Sequence, residues 1–274
     1  MKFLVVFAVL VACAHAGSLS NIAQKLIPSF ASDFVIKGHE AVPHSAPYIV
    51  SLRNNINLGH NCGGTIIAKD WILTAAHCIS NPVGMAVVAG LHERTNLDEK
   101  TQTRIVDWGK VHEKYNNGVG PYDIAILHLS EPLEYNQYVQ PAALPAVEEI
   151  HSGEIHLYGW GQPKAYILSG AKLLQTVETQ ILEYDACKAT LPEDAPIDES
   201  NICSDSLKTS ISACNGDSGG PLVIEREGAP SELVGIVSWG YIPCGLAKLP
   251  SIYTRVSAYI DWIAKIQNAY YVLY

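Results

Sequence analysis

From Tyr48 onward the chain is written in short apolar runs, each cut off by glycine, proline or asparagine. They include Tyr48-Ile49-Val50-Ser51-Leu52, Gly64-Thr65-Ile66-Ile67, Met85-Ala86-Val87-Val88, Asp123 to Leu129, Leu222-Val223-Ile224 and Leu233-Val234-Gly235-Ile236-Val237. A run of this length cannot lay down a helical face worth burying, but as a strand it is complete, provided other strands pair with it. Many such runs with turn punctuation indicate an all-β sandwich or barrel. Only Val256 to Gln267 has clear helical character, with Val256, Tyr259, Ile260, Ile263 and Ile266 on one face. The 274 residues, 48% hydrophobic and 16% charged, support an extensive core and exclude disorder. No internal repeat or low-complexity segment interrupts them.

The N-terminus reads differently from the body. Met1-Lys2-Phe3, an apolar run from Leu4 to Ala12 and the small-x-small Ala14-His15-Ala16 have the form of a signal peptide over 1–16. That run is too short to cross a bilayer of ~30 Å, and no later stretch approaches the required length, so a secreted protein with no membrane partner is expected. Gly17 to Phe34 is weakly patterned and reads as a propeptide, with the folded domain starting at Val35. Of the seven cysteines, Cys13 leaves with the signal, and the even set that remains suits an oxidising compartment. Zinc is a poor reading because these cysteines lack close paired spacing. The formal charge of −9 works against nucleic acid and anionic lipid as partners.

Chemistry enters with Cys214-Asn215-Gly216-Asp217-Ser218-Gly219-Gly220-Pro221, where glycines crowd one serine and bare its hydroxyl and the neighbouring N–H groups. Alone, such a match is weak, because glycine and serine are common turn residues. Two other segments sharpen it: Leu73-Thr74-Ala75-Ala76-His77-Cys78 upstream and Asp123-Ile124-Ala125-Ile126-Leu127 between. In this order of His, Asp and Ser, the three blocks resemble those of the chymotrypsin-like (trypsin/chymotrypsin) serine protease family. The resemblance covers nearly everything from Val35 to Ile266. Among family members the chain looks most like insect midgut proteases, including the proteolytic-lectin, or lectizyme, type.

The resemblance implies an all-β fold of two six-stranded antiparallel barrels, about 35–140 and 150–255, and a C-terminal helix about 256–267. Tyr135 to Glu149 would form the crossing between barrels. It implies disulfides Cys62 with Cys78, Cys187 with Cys203, and Cys214 with Cys244. A serine hydroxyl is a poor nucleophile at neutral pH and needs a neutral imidazole to take its proton and a carboxylate to hold that imidazole's tautomer. The resemblance assigns these roles to Ser218, His77 and Asp123, with Ser238 bonded to Asp123. It assigns the oxyanion hole to the N–H groups of Gly216 and Ser218, and a substrate-pairing edge strand to Ser238-Trp239-Gly240. The other nine histidines are expected on the surface or in hydrogen-bonded core positions.

Asp217 is implied to pair with the α-amino group of Val35 once the chain is cut, ordering the oxyanion loop. Two departures bear on this: Lys37 stands where a glycine is usual, and Phe34 precedes the cut where Arg or Lys is expected. Cleavage after Phe34 by a chymotrypsin-like enzyme, another copy of this one included, is the expectation. In the primary specificity pocket, Ser212 and Ser251 occupy the places where basic-specific relatives carry an acid, and Gly240 leaves the mouth open. An unpaired cation there would pay a large desolvation cost, so a neutral pocket for Phe, Tyr, Leu or Met is expected. Gly90 to Glu99 falls where vertebrate trypsins bind calcium, but Arg94 intervenes among Glu93, Asp98 and Glu99, and the loop reads as solvated charge with no metal.

The expected protein is therefore a secreted, monomeric serine endopeptidase that needs no cofactor. It would act on protein or peptide substrates, meet proteinaceous inhibitors and serve digestion, in the gut lumen of such an animal. The alternatives are a trypsin-like endopeptidase and a protease that also binds carbohydrate. No Asn-x-Ser/Thr sequon is present, so N-glycosylation is not expected.

Overall fold

In the computed structural model, residues 38–57, 59–163, 167, 169–206, 211–245 and 249–273 are described. The expected signal peptide, the propeptide and the activation residues Val35 to Lys37 lie outside them. A two-residue strand, β1 (His39–Glu40), opens the described chain. Then come β2 (Ile49–Arg53), β3 (Cys62–Ala68), β4 (Trp71–Thr74), β5 (Ala86–Ala89), β6 (Gln102–Val111) and β7 (Ala125–Leu129). These six close into a barrel in the order β2-β3-β4-β7-β6-β5, every pairing antiparallel.

The second half repeats the solution with β8 (Glu154–Gly159), β9 (Gln175–Leu182), β10 (Asn201–Ser204), β11 (Pro221–Ile224), β12 (Glu232–Trp239) and β13 (Ile252–Arg255). The order β9-β10-β13-β12-β11-β8 closes through β8 on β9, and β1 adds to the outside of β9. The fold is thus two closed six-stranded antiparallel barrels with a C-terminal helix. Closure explains how runs this short are stable, since a ring leaves no strand edge unpaired and buries one face of every strand. The fully buried side chains include Trp71, Ile72, Leu73, Ile126 and Leu127 in the first barrel, and Trp160 just beyond β8.

Three disulfides staple the body, Cys62–Cys78, Cys187–Cys203 and Cys214–Cys244, the pairs that the resemblance implied. Two helical features differ from the sequence expectation. A seven-residue helix, α1 (Tyr184–Thr190), precedes β10; it is too short for a periodic signal, and its one buried residue, Cys187, anchors it by disulfide to β10. At the C-terminus, Val256–Tyr259 forms a 3-10 turn, and the helix α2 (Ile260–Leu273) runs on past Gln267.

No Gly or Pro stops that helix, and the first barrel holds its last turns. Trp71 Nε1 donates to the Tyr271 hydroxyl at 3.0 Å, while the Tyr270 ring lies 4.1 Å from the His128 ring and 5.3 Å from the Trp71 ring. Most helical stability comes from packing of this kind, which no count of periodic residues in the tail registers. Among the described residues no helix is long and apolar enough to cross a membrane.

Candidate active site

Strand register brings the His and Asp segments together. In the β4–β7 pair Thr74 faces Ala125 and Leu73 faces Ile126. Asp123, two residues before Ala125, therefore lies beside the 3-10 turn Ala76–Cys78 that follows Thr74. The Ser segment arrives from the other barrel and is held from both sides. Gly63 N–H in β3 donates to the Ser218 carbonyl at 2.8 Å. Gly219 N–H donates to Val237 O at 2.9 Å, and Val237 N–H to Gly220 O at 3.0 Å, which fixes the loop on β12 one residue from Ser238.

Gly219 is needed there: its φ is +74°, and a Cβ would strike Thr74 Oγ1 and stand 3.1 Å from Cys78 Sγ. Any side chain after Ser218 would thus run into Thr74 and Cys78, the residues that flank Ala75, Ala76 and His77.

Asp123 is buried and accepts three hydrogen bonds on its carboxylate: from His77 N–H at 2.9 Å, His77 Nδ1 at 2.8 Å and Ser238 Oγ at 2.6 Å. Its carbonyl accepts a fourth, from Thr254 Oγ1 at 2.8 Å. A carboxylate only accepts, so His77 Nδ1 carries the proton and, in the neutral ring, Nε2 keeps a lone pair. The His77 side chain remains 31% exposed. The arrangement is a base with its tautomer fixed from behind and its basic nitrogen turned away from the carboxylate.

Asp217 is the contrasting carboxyl. It is buried and, among the described residues, accepts from two backbone donors, Cys214 N–H at 2.9 Å and Gly161 N–H at 2.8 Å. Burial pushes its pKa up to about 6, against the downward pull of those two N–H groups. Gly161 permits the approach, because a Cβ there would collide with both carboxylate oxygens.

His60, which the sequence reading left among nine undistinguished histidines, closes this loop from the far side. Its Nε2 bonds to Gly216 O at 2.8 Å and its Nδ1 to Ser51 Oγ at 2.9 Å, with its ring edge-on to Trp160 at 5.5 Å. Burial lowers its pKa to about 4, so the ring is neutral near pH 7. Since a carbonyl accepts, Nε2–H is the donor and Ser51 donates to Nδ1. On the other side, Asn215 O accepts from Gln162 N–H at 2.8 Å. Peptide planarity then turns the Gly216 N–H away from Gln162.

A cavity of about 190 Å³ opens beside Ser218, lined by Ala213, Cys214, Asn215, Val237, Ser238, Trp239, Gly240, Tyr241, Ile242 and Cys244. Ser212 and Ser251 do not line it. Both are buried behind it, with Ser212 Oγ donating to Ala213 O at 2.7 Å and lying 3.1 Å from Ser251 Oγ, which accepts from Ala213 N–H at 3.1 Å. The hydroxyls satisfy each other and the Ala213 backbone, and neither carries charge. Gly240 stands at the opening, where a Cβ would meet nothing closer than Ser251 Cα at 3.9 Å.

The structure therefore joins His77, Asp123 and Ser238 by hydrogen bonds and places Ser218, Ser238, Trp239 and Gly240 around one cavity, with Ser212 and Ser251 one layer back and Gly216 and Asp217 in the loop before Ser218. Val35 lies outside the described residues. The sequence reading missed His60, Trp160, Gly161 and Thr254; each acts through a contact between segments far apart in the chain, and none has a local motif that announces it.

Comparison of the sequence with known proteins shows the family. The sequence profile described as Trypsin matches residues 35–263. The chain is 44% identical to Lectizyme of Glossina austeni, over 96% of both chains. It is 37% identical to Chymotrypsin-C of Bos taurus over 84% of this chain and 87% of that one. Trypsin Tyr p 3.0101 of Tyrophagus putrescentiae is 36% identical, over 96% and 90% respectively.

Proposed function

This chain belongs to the trypsin family of serine proteases, and on that premise we propose that it is a secreted digestive endopeptidase that cuts after apolar and aromatic residues. The observation that carries the proposal is the joining of a base held by Asp123 to a specificity pocket without charge. In the proposed reaction His77 Nε2 takes the Ser218 proton as Oγ attacks the scissile carbonyl. The N–H groups of Gly216 and Ser218 receive the oxyanion, and the imidazolium then protonates the leaving amine. Water repeats the steps on the acyl-enzyme. Asp123 and Ser238 keep the imidazole in its tautomer throughout, and the edge at Ser238-Trp239-Gly240 pairs with the extended peptide.

Substrate choice follows from the pocket floor. An Arg or Lys side chain entering it would find no carboxylate, either in the lining or in the paired hydroxyls of Ser212 and Ser251 behind it, and would lose its hydration uncompensated. An aromatic or long apolar side chain loses nothing there. A pocket without a charge requirement suits broad digestion of protein. We also propose that the signal ends at Ala16, that cleavage after Phe34 frees Val35, and that the new amine pairs with Asp217. The start of the family match at Val35 supports that boundary, and the proposed pocket itself would accept Phe34. N-terminal sequencing of the secreted protein tests it, with any start other than Val35 against it.

Hydrolysis of matched peptide substrates differing only in Phe or Arg before the scissile bond tests the specificity. The expected result is kcat/KM at least about tenfold higher for Phe, the scale on which pockets discriminate; faster cleavage after Arg overturns it. The similarity to Lectizyme, whose name joins lectin and enzyme, favours one second reading, a protease that also binds carbohydrate. Glycan binding by a Ser218→Ala variant tests it, since sugar affinity would survive a change that abolishes hydrolysis.

A further inference from the structure

The residue before Asp123 is in a conformation that its side chain disfavours. Tyr122 has φ +66°, in the left-handed region that a bulky residue rarely occupies. A strained residue persists only when its surroundings over-determine it, and here they do.

The Tyr122 N–H donates to the Tyr259 hydroxyl at 3.0 Å, and that hydroxyl donates onward to Ser200 Oγ at 3.0 Å. The Tyr122 carbonyl accepts from Ile124 N–H at 2.8 Å, closing a three-residue turn with Asp123 at its centre. The Tyr122 ring stacks on His112 at 4.9 Å and 24°, under Lys114 Nζ at 5.3 Å. The other side of that stack is closed by Trp262, 5.0 Å from His112, whose Nε1 donates to Glu113 Oε2 at 3.0 Å.

Two of these clamping residues come from the end of the chain. Tyr259 is the last residue of the 3-10 turn and Trp262 lies in the first turn of α2, whereas Asp123 belongs to the first barrel. The Tyr259 hydroxyl thus holds the Pro121–Tyr122 peptide on one side of the strained residue, while the Tyr122 carbonyl on the other side closes the turn around Asp123; fixing Tyr122 between them sets the direction of the Asp123 side chain, and hence of the His77 ring bonded to it.

We propose that Tyr259 is a positioning residue for the catalytic aspartate: by taking the N–H of the strained Tyr122, it lets the C-terminal segment set the direction of the Asp123 carboxylate. The proposal rests on the assignment of Asp123 as the group that orients His77. It differs from the bond that Ser238 makes to the carboxylate itself, because the Tyr259 hydroxyl bonds to the Tyr122 N–H and Ser200 Oγ and acts through the backbone before Asp123.

The test is the processed enzyme carrying Tyr259→Phe, assayed per titrated active site on a short Phe peptide. Misplacement of a catalytic group by about 1 Å can cost on the order of a hundredfold, so a loss of about tenfold in kcat is expected, with KM changed less than about twofold. The downfield NMR resonance of the proton between His77 Nδ1 and Asp123 should shift or broaden in the same variant, which a loss of general stability would not cause.

Adding Tyr122→Asn to Tyr259→Phe supplies a residue more at ease in the left-handed region and should restore most of kcat. If Tyr259→Phe does not fold, Ser200→Ala serves instead: it removes only the onward acceptor of the Tyr259 hydroxyl, and a kcat loss of about threefold with the same resonance shift is expected. An unchanged kcat per active site and an unmoved resonance overturn the proposal. Asp123→Asn in the same assay separates the two levels: full activity there would overturn the site assignment itself, whereas its loss beside a silent Tyr259→Phe overturns only the positioning role.

Discussion

Two aspartates lie buried within this site, 3% and 1% exposed, and they are equipped for opposite purposes. Asp123 has three donors on its carboxylate, one of them an imidazole that can become a cation at that place. Asp217 has two backbone donors among the described residues and a pKa pushed up to about 6 by burial. Two amide dipoles do not replace the hydration of a buried carboxylate. The first site is complete in the described chain. The second has no such cation among its described partners, and the cleavage proposed above would supply one in the amine of Val35.

Removing each charge while keeping the shape breaks this comparison most directly. Asp123→Asn should reverse the tautomer of His77 and lower kcat by about 10⁴, the scale found for this change in triad enzymes; single-turnover hydrolysis measures it, and a loss under tenfold would mean that the carboxylate does not orient the base. Asp217→Asn should cost the processed enzyme about 10²–10³ in kcat, the worth of one oxyanion donor, with substrate KM moving little.

In the uncleaved chain Asp217 should act on stability with the opposite sign. Its folded carboxyl holds a proton to about pH 6, while the unfolded one releases it near 3.8. Between those values the folded state binds more protons, so stability falls as pH rises, by about 3 kcal/mol across the window. Denaturant midpoints of unprocessed Ser218→Ala protein, with and without Asp217→Asn, measure this; parallel curves would show that Asp217 titrates alike in both states. The smallest effect expected is that of Ser238→Ala, which removes one of the three donors on Asp123 and should lower kcat about tenfold, the worth of a hydrogen bond to a charged group. A larger loss than that of Asp123→Asn would invert the comparison.

Much of this was legible before folding. The recurrent short runs called for an all-β sandwich or barrel because each is too short to stand unpaired, the resemblance implied two barrels, and both barrels use the runs, as Leu233 to Val237 does within β12. The Ser, His and Asp blocks were legible because each packs several rare requirements into consecutive residues, such as Gly219 at positive φ beside Ser218. The extension of α2 to Leu273 was not legible, since it depends on Tyr270 and Tyr271 finding Trp71 two hundred positions away. His60 was missed for the same reason: its partners Ser51 and Gly216 belong to different barrels.

By itself, the sequence determined the strand-rich fold class, the Ser, His and Asp blocks on which the proposed catalytic assignment rests, and the lack of charge at positions 212 and 251. Each of these is a property of residue type and near neighbours. Only the tertiary structure decided that Ser212 and Ser251 satisfy each other behind the pocket, that His60 and Gly161 close on the loop around Gly216 and Asp217, and that Tyr259 takes the N–H of Tyr122, the residue before Asp123. The physical reason is that a buried polar group must find a partner wherever the packing has brought one. The glycine-flanked serine is written in consecutive residues, whereas the groups that hold Asp123 in place come from β12, β13 and the C-terminal turn, more than a hundred positions along the chain.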